Sequence, residues 1–265
     1  MRRLLPAFAL LVALTVDAAE PGDGLDCVVE ASRTAAIASP VAGILAAVEV
    51  DTGDRVKTGQ VLARLESSVE EALVEEARTR ARAQGEVIAA QRRLEYARRK
   101  LERMANLRQK KTVSTQEYED AALEVRLAEA ELRMQRERVE LSRIIQRRAE
   151  AELARRTLKS PMDGVITRRH LSPGEFVKEE PVLEIARLDP LKVTAYAPAR
   201  EFGRIRPGMK AKLSLEGRPG EHEAVVTRVD PMVDASSDLF GIRLDLPNPD
   251  LAIPAGLQCR LRFAE

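Results

Sequence analysis

From Val69 to Thr157 the chain carries no proline and a single glycine, Gly85. Proline removes a backbone donor and collides with the preceding turn, so a proline-free run of about ninety residues rich in Arg, Glu, Ala and Leu points to long helix. The pattern breaks once, around Lys110 to Ser114. In the first half Leu73, Val87, Leu94 and Leu101 recur at seven-residue steps, interrupted by Arg80. Val69, Ala83, Ala90, Ala97 and Met104 hold the companion position, with Glu76 as the exception. In the second half Tyr118, Val125, Leu132, Val139 and Leu153 repeat the step beside Ala121, Ala128 and Ala149. Two helices that each carry one narrow apolar seam fold back as an antiparallel coiled coil. At 1.5 Å per residue, each arm makes a rod on the order of 60 Å long.

The flanks of this hairpin, 67–158, repeat one another. Ser39-Pro40-Val41-Ala42-Gly43-Ile44 is answered by Ser160-Pro161-Met162-Asp163-Gly164-Val165. Asp51 to Lys57 is answered by Ser172 to Lys178, and Gln60 to Leu62 by Pro181 to Leu183. The offset stays at 121 positions throughout (Ser39 to Ser160, Gly43 to Gly164). Both segments are rich in β-branched residues punctuated by Gly and Pro, so they read as two matching β-units, 26–66 and 159–187, packed on each other. After Leu188, Leu191 to Ala197, Ala211 to Leu215, Ala224 to Val229, Phe240 to Leu246 and Leu257 to Phe263 read as short strands. Pro207-Gly208, Arg218-Pro219-Gly220 and Pro247-Asn248-Pro249 mark turns, and Pro198 to Ile205 reads as a short helix. Five or so strands in 188–265 indicate a small antiparallel β-barrel. The fold class is mainly β with a long α-helical hairpin.

Lys and Arg number 43 against 42 Asp and Glu, and charged residues make up 32% of the chain. Dense, balanced charge fits solvated helices and argues against a nucleic-acid surface. Aromatics are 3%, too few for an aromatic-lined ligand pocket. Arg2, Arg3, the apolar run Leu4 to Val16 and the small Ala18 and Ala19 read as a signal peptide over 1–19. The apolar run falls short of the roughly 20 residues that span a bilayer, with an uncleaved anchor as the alternative. Cys27 and Cys259 sit at opposite ends of the exported chain and admit either a disulfide or two buried thiols. His170 and His222 lack neighbouring ligands at metal spacing, and no phosphate loop or nucleophile set is present. The chain therefore reads as a non-enzyme without metal or cofactor.

The repeated halves resemble the lipoyl/biotinyl-carrier fold, a flattened barrel-sandwich whose joining turn carries a modified lysine. Here Arg64-Leu65-Glu66-Ser67-Ser68 leads into the hairpin with no lysine at that turn, which disfavours a carrier. At the hairpin's far end Ser114 stands three residues before Glu117, a capping-box spacing. Arg103 and Leu107, followed by six residues and then Ser114, match the tip pattern of periplasmic adaptors, the HlyD-like membrane fusion proteins. The barrel phrases Ile205-Arg206-Pro207-Gly208 and Ile253-Pro254-Ala255-Gly256 are similar to that family's too. The resemblance implies a tripartite efflux system in which Arg103, Leu107 and Ser114 dock onto an outer-membrane channel. It implies an inner-membrane transporter, of the RND type or else an ABC-type exporter, and a homo-oligomeric ring, a hexamer. Many adaptors of RND pumps continue into a membrane-proximal domain that this sequence is not expected to have. A periplasmic coiled-coil spacer without a transport role is the remaining reading.

Overall fold

The computed structural model describes residues 24–263, so the signal segment over 1–19 lies outside the described residues. The described residues form two compact units, one of Thr34–Arg187 and the other of 24–33 with 188–263. Their boundaries fall inside two long strands, β1 (Leu25–Ala38) and β8 (Pro181–Pro198).

In the Thr34–Arg187 unit, β2 (Gly43–Val48) pairs antiparallel with β4 (Val61–Leu65) and β7 (Phe176–Val177). β3 (Arg55–Val56) pairs with β6 (Gly164–Arg169), β4 with β5 (Thr157–Lys159), and β6 with β8. Each half of the sequence repeat thus takes its partners partly from the other half. The hydrogen bonds repeat with it. Gly53 N–H donates to Ile166 O at 2.8 Å, and Gly174 N–H donates to Leu45 O at 2.7 Å. Ile166 N–H reaches Asp54 O at 3.0 Å, and Leu45 N–H reaches Glu175 O at 2.9 Å. Gly53 and Gly174 share the left-handed conformation, φ 95° and 94°, which the absence of a Cβ makes inexpensive. Ser39 Oγ donates to Val41 O at 2.5 Å, and Ser160 Oγ to Met162 O at 2.6 Å, so the two Ser-Pro phrases close the same turn. Leu45, Leu62, Ile166, Val177, Leu183 and Ile185 form the core between the halves.

Between β4 and β5 the chain runs out through α1 (Ser68–Arg82) and α2 (Gly85–Gln109) and returns through α3 (Thr115–Ala154). α3 turns Tyr118, Ala121, Val125, Ala128 and Leu132 inward, in the alternating steps that its sequence pattern predicts, and Gln135 with them. The outgoing arm differs from the expected single helix, because it breaks a second time at Ala83 and Gln84. An unbroken helix would put Glu76 and Arg80 into the seam. With the break, the seam moves by one residue to Val74, Ala77 and Ala81, and Arg80 pairs with Glu76 outside at 2.9 Å. Leu73, expected inside, is consequently 47% exposed, whereas Val74 is 5% exposed. At the hairpin's root the Arg156 guanidinium pairs with Glu70 and donates to Ala42 O at 3.3 Å, and Arg155 donates to Pro40 O at 2.8 Å.

The other unit is a closed antiparallel barrel. Strands follow the order β1, β12 (Gln258–Phe263), β9 (Lys210–Leu215), β10 (Glu221–Asp234), β11 (Leu239–Leu246), β8, and β1 also pairs β8. Val29, Leu191, Leu213, Val226, Phe240 and Ile242 fill its core. The first residues of β1 belong here, which corrects the assignment of 26–66 to the sandwich alone: Cys27 and Val29 pack among the barrel residues. Cys27 lies opposite Cys259 in the β1–β12 register, with Sγ bonded to Sγ at 2.14 Å and Cα atoms 4.9 Å apart. The short helix foreseen at 198–205 is a single 3-10 turn, Ala199–Glu201. Buried Asn248 donates to Leu188 O and Ile253 O and accepts from Ile253 N–H, so both ends of its amide hold the β11–β12 loop.

Candidate functional site

The hairpin tip is built by two helix ends that cap themselves. α2 stops because Leu107 O is taken three times, by Lys110 N–H at 3.1 Å, Thr112 N–H at 3.1 Å and Thr112 Oγ1 at 2.8 Å. Lys111 turns the chain with φ 59°, the left-handed conformation that ends many helices. α3 then starts on a reciprocal box. Ser114 Oγ accepts from Glu117 N–H at 3.2 Å, while Glu117 Oε2 accepts from Ser114 N–H at 2.7 Å and from its hydroxyl at 2.9 Å. Those two hydrogen bonds to Ser114, backbone first, hold the Glu117 carboxyl below the usual carboxylate range. The Arg108 guanidinium lies over the Tyr118 ring, 4.6 Å from its centre, and ties the two helix ends together.

Arg103 and Leu107, four residues apart, lie one turn from each other along the last turns of α2, and both are exposed. Among the described residues Arg103 makes no ion pair, so its guanidinium is available to a partner. Ser114 stands across the turn with its hydroxyl engaged by Glu117. The tip thus presents the Arg103 guanidinium and the Leu107 side chain on a rigid end, with Ser114 supplying the cap. Arg108, Lys110 and Lys111 add positive charge that the sequence pattern did not single out. Arg108 could have been found from the Tyr118 partner across the break, but Lys111 carries no Gly or Asn signal for its conformation.

Below the tip the two arms are cross-tied by Lys100 to Glu124 at 2.7 Å and Arg98 to Glu129 at 2.8 Å. Elsewhere, His170 is not alone as its sequence surroundings imply, since its Nε2 lies 2.9 Å from Glu184 Oε1. The β6–β8 register brings Glu184 beside it. No group of three or more His, Cys, Asp or Glu side chains is placed to hold a metal among the described residues. No helix among them is long and apolar enough to cross a membrane.

Comparison with known proteins places this architecture. Residues 33–186 match the profile of the CzcB-like barrel-sandwich hybrid domain, and residues 191–265 that of the CusB-like β-barrel domain. The cobalt-zinc-cadmium resistance protein CzcB of Cupriavidus metallidurans is 28% identical over 226 residues, 85% of this chain and 41% of the relative. The macrolide export protein MacA of Yersinia pestis is 25% identical over 229 residues, 83% of this chain and 62% of the relative. The chain spans less than half the length of the CzcB proteins that it matches. In fold it is similar to MacA from Actinobacillus actinomycetemcomitans, with a TM-score of 0.77 and 19% identity over 91% of this chain and 78% of that one. With both flanking domains matched and a helical hairpin set into the sandwich, the chain belongs to the CzcB-like family of periplasmic adaptors, the membrane fusion proteins.

Proposed function

We infer that the protein is the periplasmic adaptor of a tripartite efflux system, joining an inner-membrane transporter to an outer-membrane channel. The observation that carries this reading is the tip itself: a self-capped helical turn at the far end of the hairpin, offering exposed Arg103 and Leu107. A rigid, cationic end with an exposed apolar anchor is suited to packing against another helical pair. The reading takes the transporter as RND-type, because residues 191–265 match an RND-type β-barrel. It places the protein in the periplasm at the inner membrane, its subunits side by side in a ring with their tips at one end. Its role is geometric, without a catalytic step.

The test is photo-cross-linking in living cells from an unnatural amino acid at position 106, between the two tip residues. The expected product joins the protein to an outer-membrane channel, and Arg103→Glu with Leu107→Glu abolishes both that product and export. Cross-linking and export that survive the double substitution overturn the docking role. Purification of the complexes cross-linked through the barrel identifies the transporter.

A further inference from the structure

α3 carries two heptad stripes, and the hairpin uses one of them. The inner seam runs through Ala121, Leu132 and Gln135. The other recurs at Leu123, Leu127, Ala130, Met134, Leu141 and Ile144, in steps of four and three, with Glu137 as its one charged member. Its large side chains are exposed, Leu127 to 62% and Leu141 to 57%. Single exposed apolar residues are ordinary on a protein surface. A row of them at coiled-coil spacing is a set of knobs without holes, and that period selects a helix as partner.

Within this chain, α1 and α2 expose Val69, Leu73, Ile88, Tyr96 and Leu107, which fall on no common heptad. The helix that matches the outer stripe of α3 is α3 of a second copy. Charge then decides direction. Glu119, Arg126, Arg133, Glu140 and Arg147 flank the stripe on one side, and Glu124, Glu131 and Arg138 on the other. In an antiparallel pair centred on Met134, Leu127 layers with Leu141, and Leu123 falls against Ile144 and Ile145. Glu119 then meets Arg147, Arg126 meets Glu140, and Glu131 meets Arg138, each pair formed twice by symmetry. Arg133 meets its own copy, and Glu137, one turn along, lies beside it to offset that contact. A parallel pair would instead set Glu119 against Glu124 and Arg133 against Arg138. Glu140 already lies near Arg143 and Arg147 on its own helix, but those exposed contacts are weak and exchangeable. Met134 is also at the middle of α3 (Thr115–Ala154), so the two helices overlap along their whole length.

We propose that two copies of this chain pair antiparallel through the outer face of α3, about a two-fold axis at Met134. The pairing covers the apolar stripe and sets each tip beside the root of the other hairpin. A ring with all tips on one channel has no place for it, so it is a resting form of the free adaptor. The pairing goes beyond the adaptor reading and does not depend on it; only its description as a resting form does.

Two variants of the exported chain, Leu127→Cys and Leu141→Cys, test the direction, with Cys27 and Cys259 left as they are. In the antiparallel pair, position 127 faces position 141 of the other copy, while the two copies of position 127 stand about 21 Å apart at 1.5 Å per residue. A disulfide needs Cα atoms within about 7 Å. Under mild oxidation the mixture of the two variants should give a covalent dimer, and either variant alone should not. Leu127→Cys cross-linking to itself as readily as in the mixture, or a mixture that stays monomeric, overturns the pairing. Sedimentation provides the second reading: the wild type should have the mass of two chains, and Leu127→Glu with Leu141→Glu that of one, with unchanged helical circular dichroism. A wild type of single-chain mass at every concentration, or a double variant that still pairs, refutes it. Export is scored separately, so failure of the pairing leaves the adaptor role standing.

Discussion

Gly164 lies so close to Ala186 that a Cβ added to it would stand 2.6 Å from the Ala186 carbonyl oxygen. Its counterpart in the sequence repeat, Gly43, would place a Cβ 2.6 Å from Arg156 Nη1. The obstacle is backbone in one case and the far end of a flexible side chain in the other. Gly164→Ala should therefore destabilise the sandwich by about 1–3 kcal/mol, since β6 and β8 cannot separate without losing their ladder. Gly43→Ala should cost less, because Arg156 can swing aside. Urea denaturation of both variants decides it, and a larger loss for Gly43→Ala would contradict the assignment.

The bond between Cys27 and Cys259 joins β1 to β12 and so ties together the two distant segments of chain that form the barrel. Exported protein, kept unreduced, should show no alkylatable thiol. Cys27→Ala with Cys259→Ala should lower barrel stability by about 2–5 kcal/mol. Mass spectrometry of the alkylated, unreduced protein that finds both thiols labelled would dispose of the bridge.

The parts legible in the sequence are those where one local rule acts alone. The α3 seam follows from a recurring step of three and four, and the two Ser-Pro turns follow from the repeated phrase. Where the deciding contact is distant, the pattern falls silent. Alternation at Cys27 and Val29 says that they face a core, but a strand reads the same whichever sheet it joins. The break at Ala83 and Gln84 has no proline to announce it, only Gly85 beside it and the discomfort of two charges in a seam. Glu184 reaches His170 through strand pairing alone. At the tip, the Ser114–Glu117 spacing was readable because a capping box is local, whereas the left-handed Lys111 was not.

Glu117 gives the hairpin tip a pH dependence. Its carboxyl is held below the ordinary value of 4.5 in the folded chain by the hydrogen bonds to Ser114. A folded-state pKa below the unfolded one contributes stability that is full above the unfolded value and disappears as pH falls through the folded one. The first turn of α3 should therefore stay protected near neutral pH and begin to fray below 4.5. Hydrogen exchange resolved to the tip reads this directly. Ser114→Ala should raise exchange there about fivefold at neutral pH, the equivalent of a lost cap, and flatten the acid dependence. Equal acid sensitivity with and without Ser114 would show that another group titrates.

The second break in the outgoing arm makes a prediction about neighbouring residues that separates two seams. If the arm were one continuous helix, Arg80 would be buried against α3, and replacing it with leucine would stabilise the hairpin. In the structure Arg80 is exposed and paired with Glu76, while Ala81 is buried against the returning helix. Arg80→Leu should thus change stability by no more than about 0.5 kcal/mol, the usual range for a surface site. Ala81→Arg should cost about 1–3 kcal/mol, because a long charged side chain must be forced between helices that Ala layers allow to approach closely. Val74→Ala, one step inward along the same seam, should destabilise by about 1–2 kcal/mol through the lost packing. Thermal unfolding followed by circular dichroism at 222 nm, the wavelength of the helical signal, compares the three. Stabilisation by Arg80→Leu together with a neutral Ala81→Arg would restore the continuous helix and remove the break.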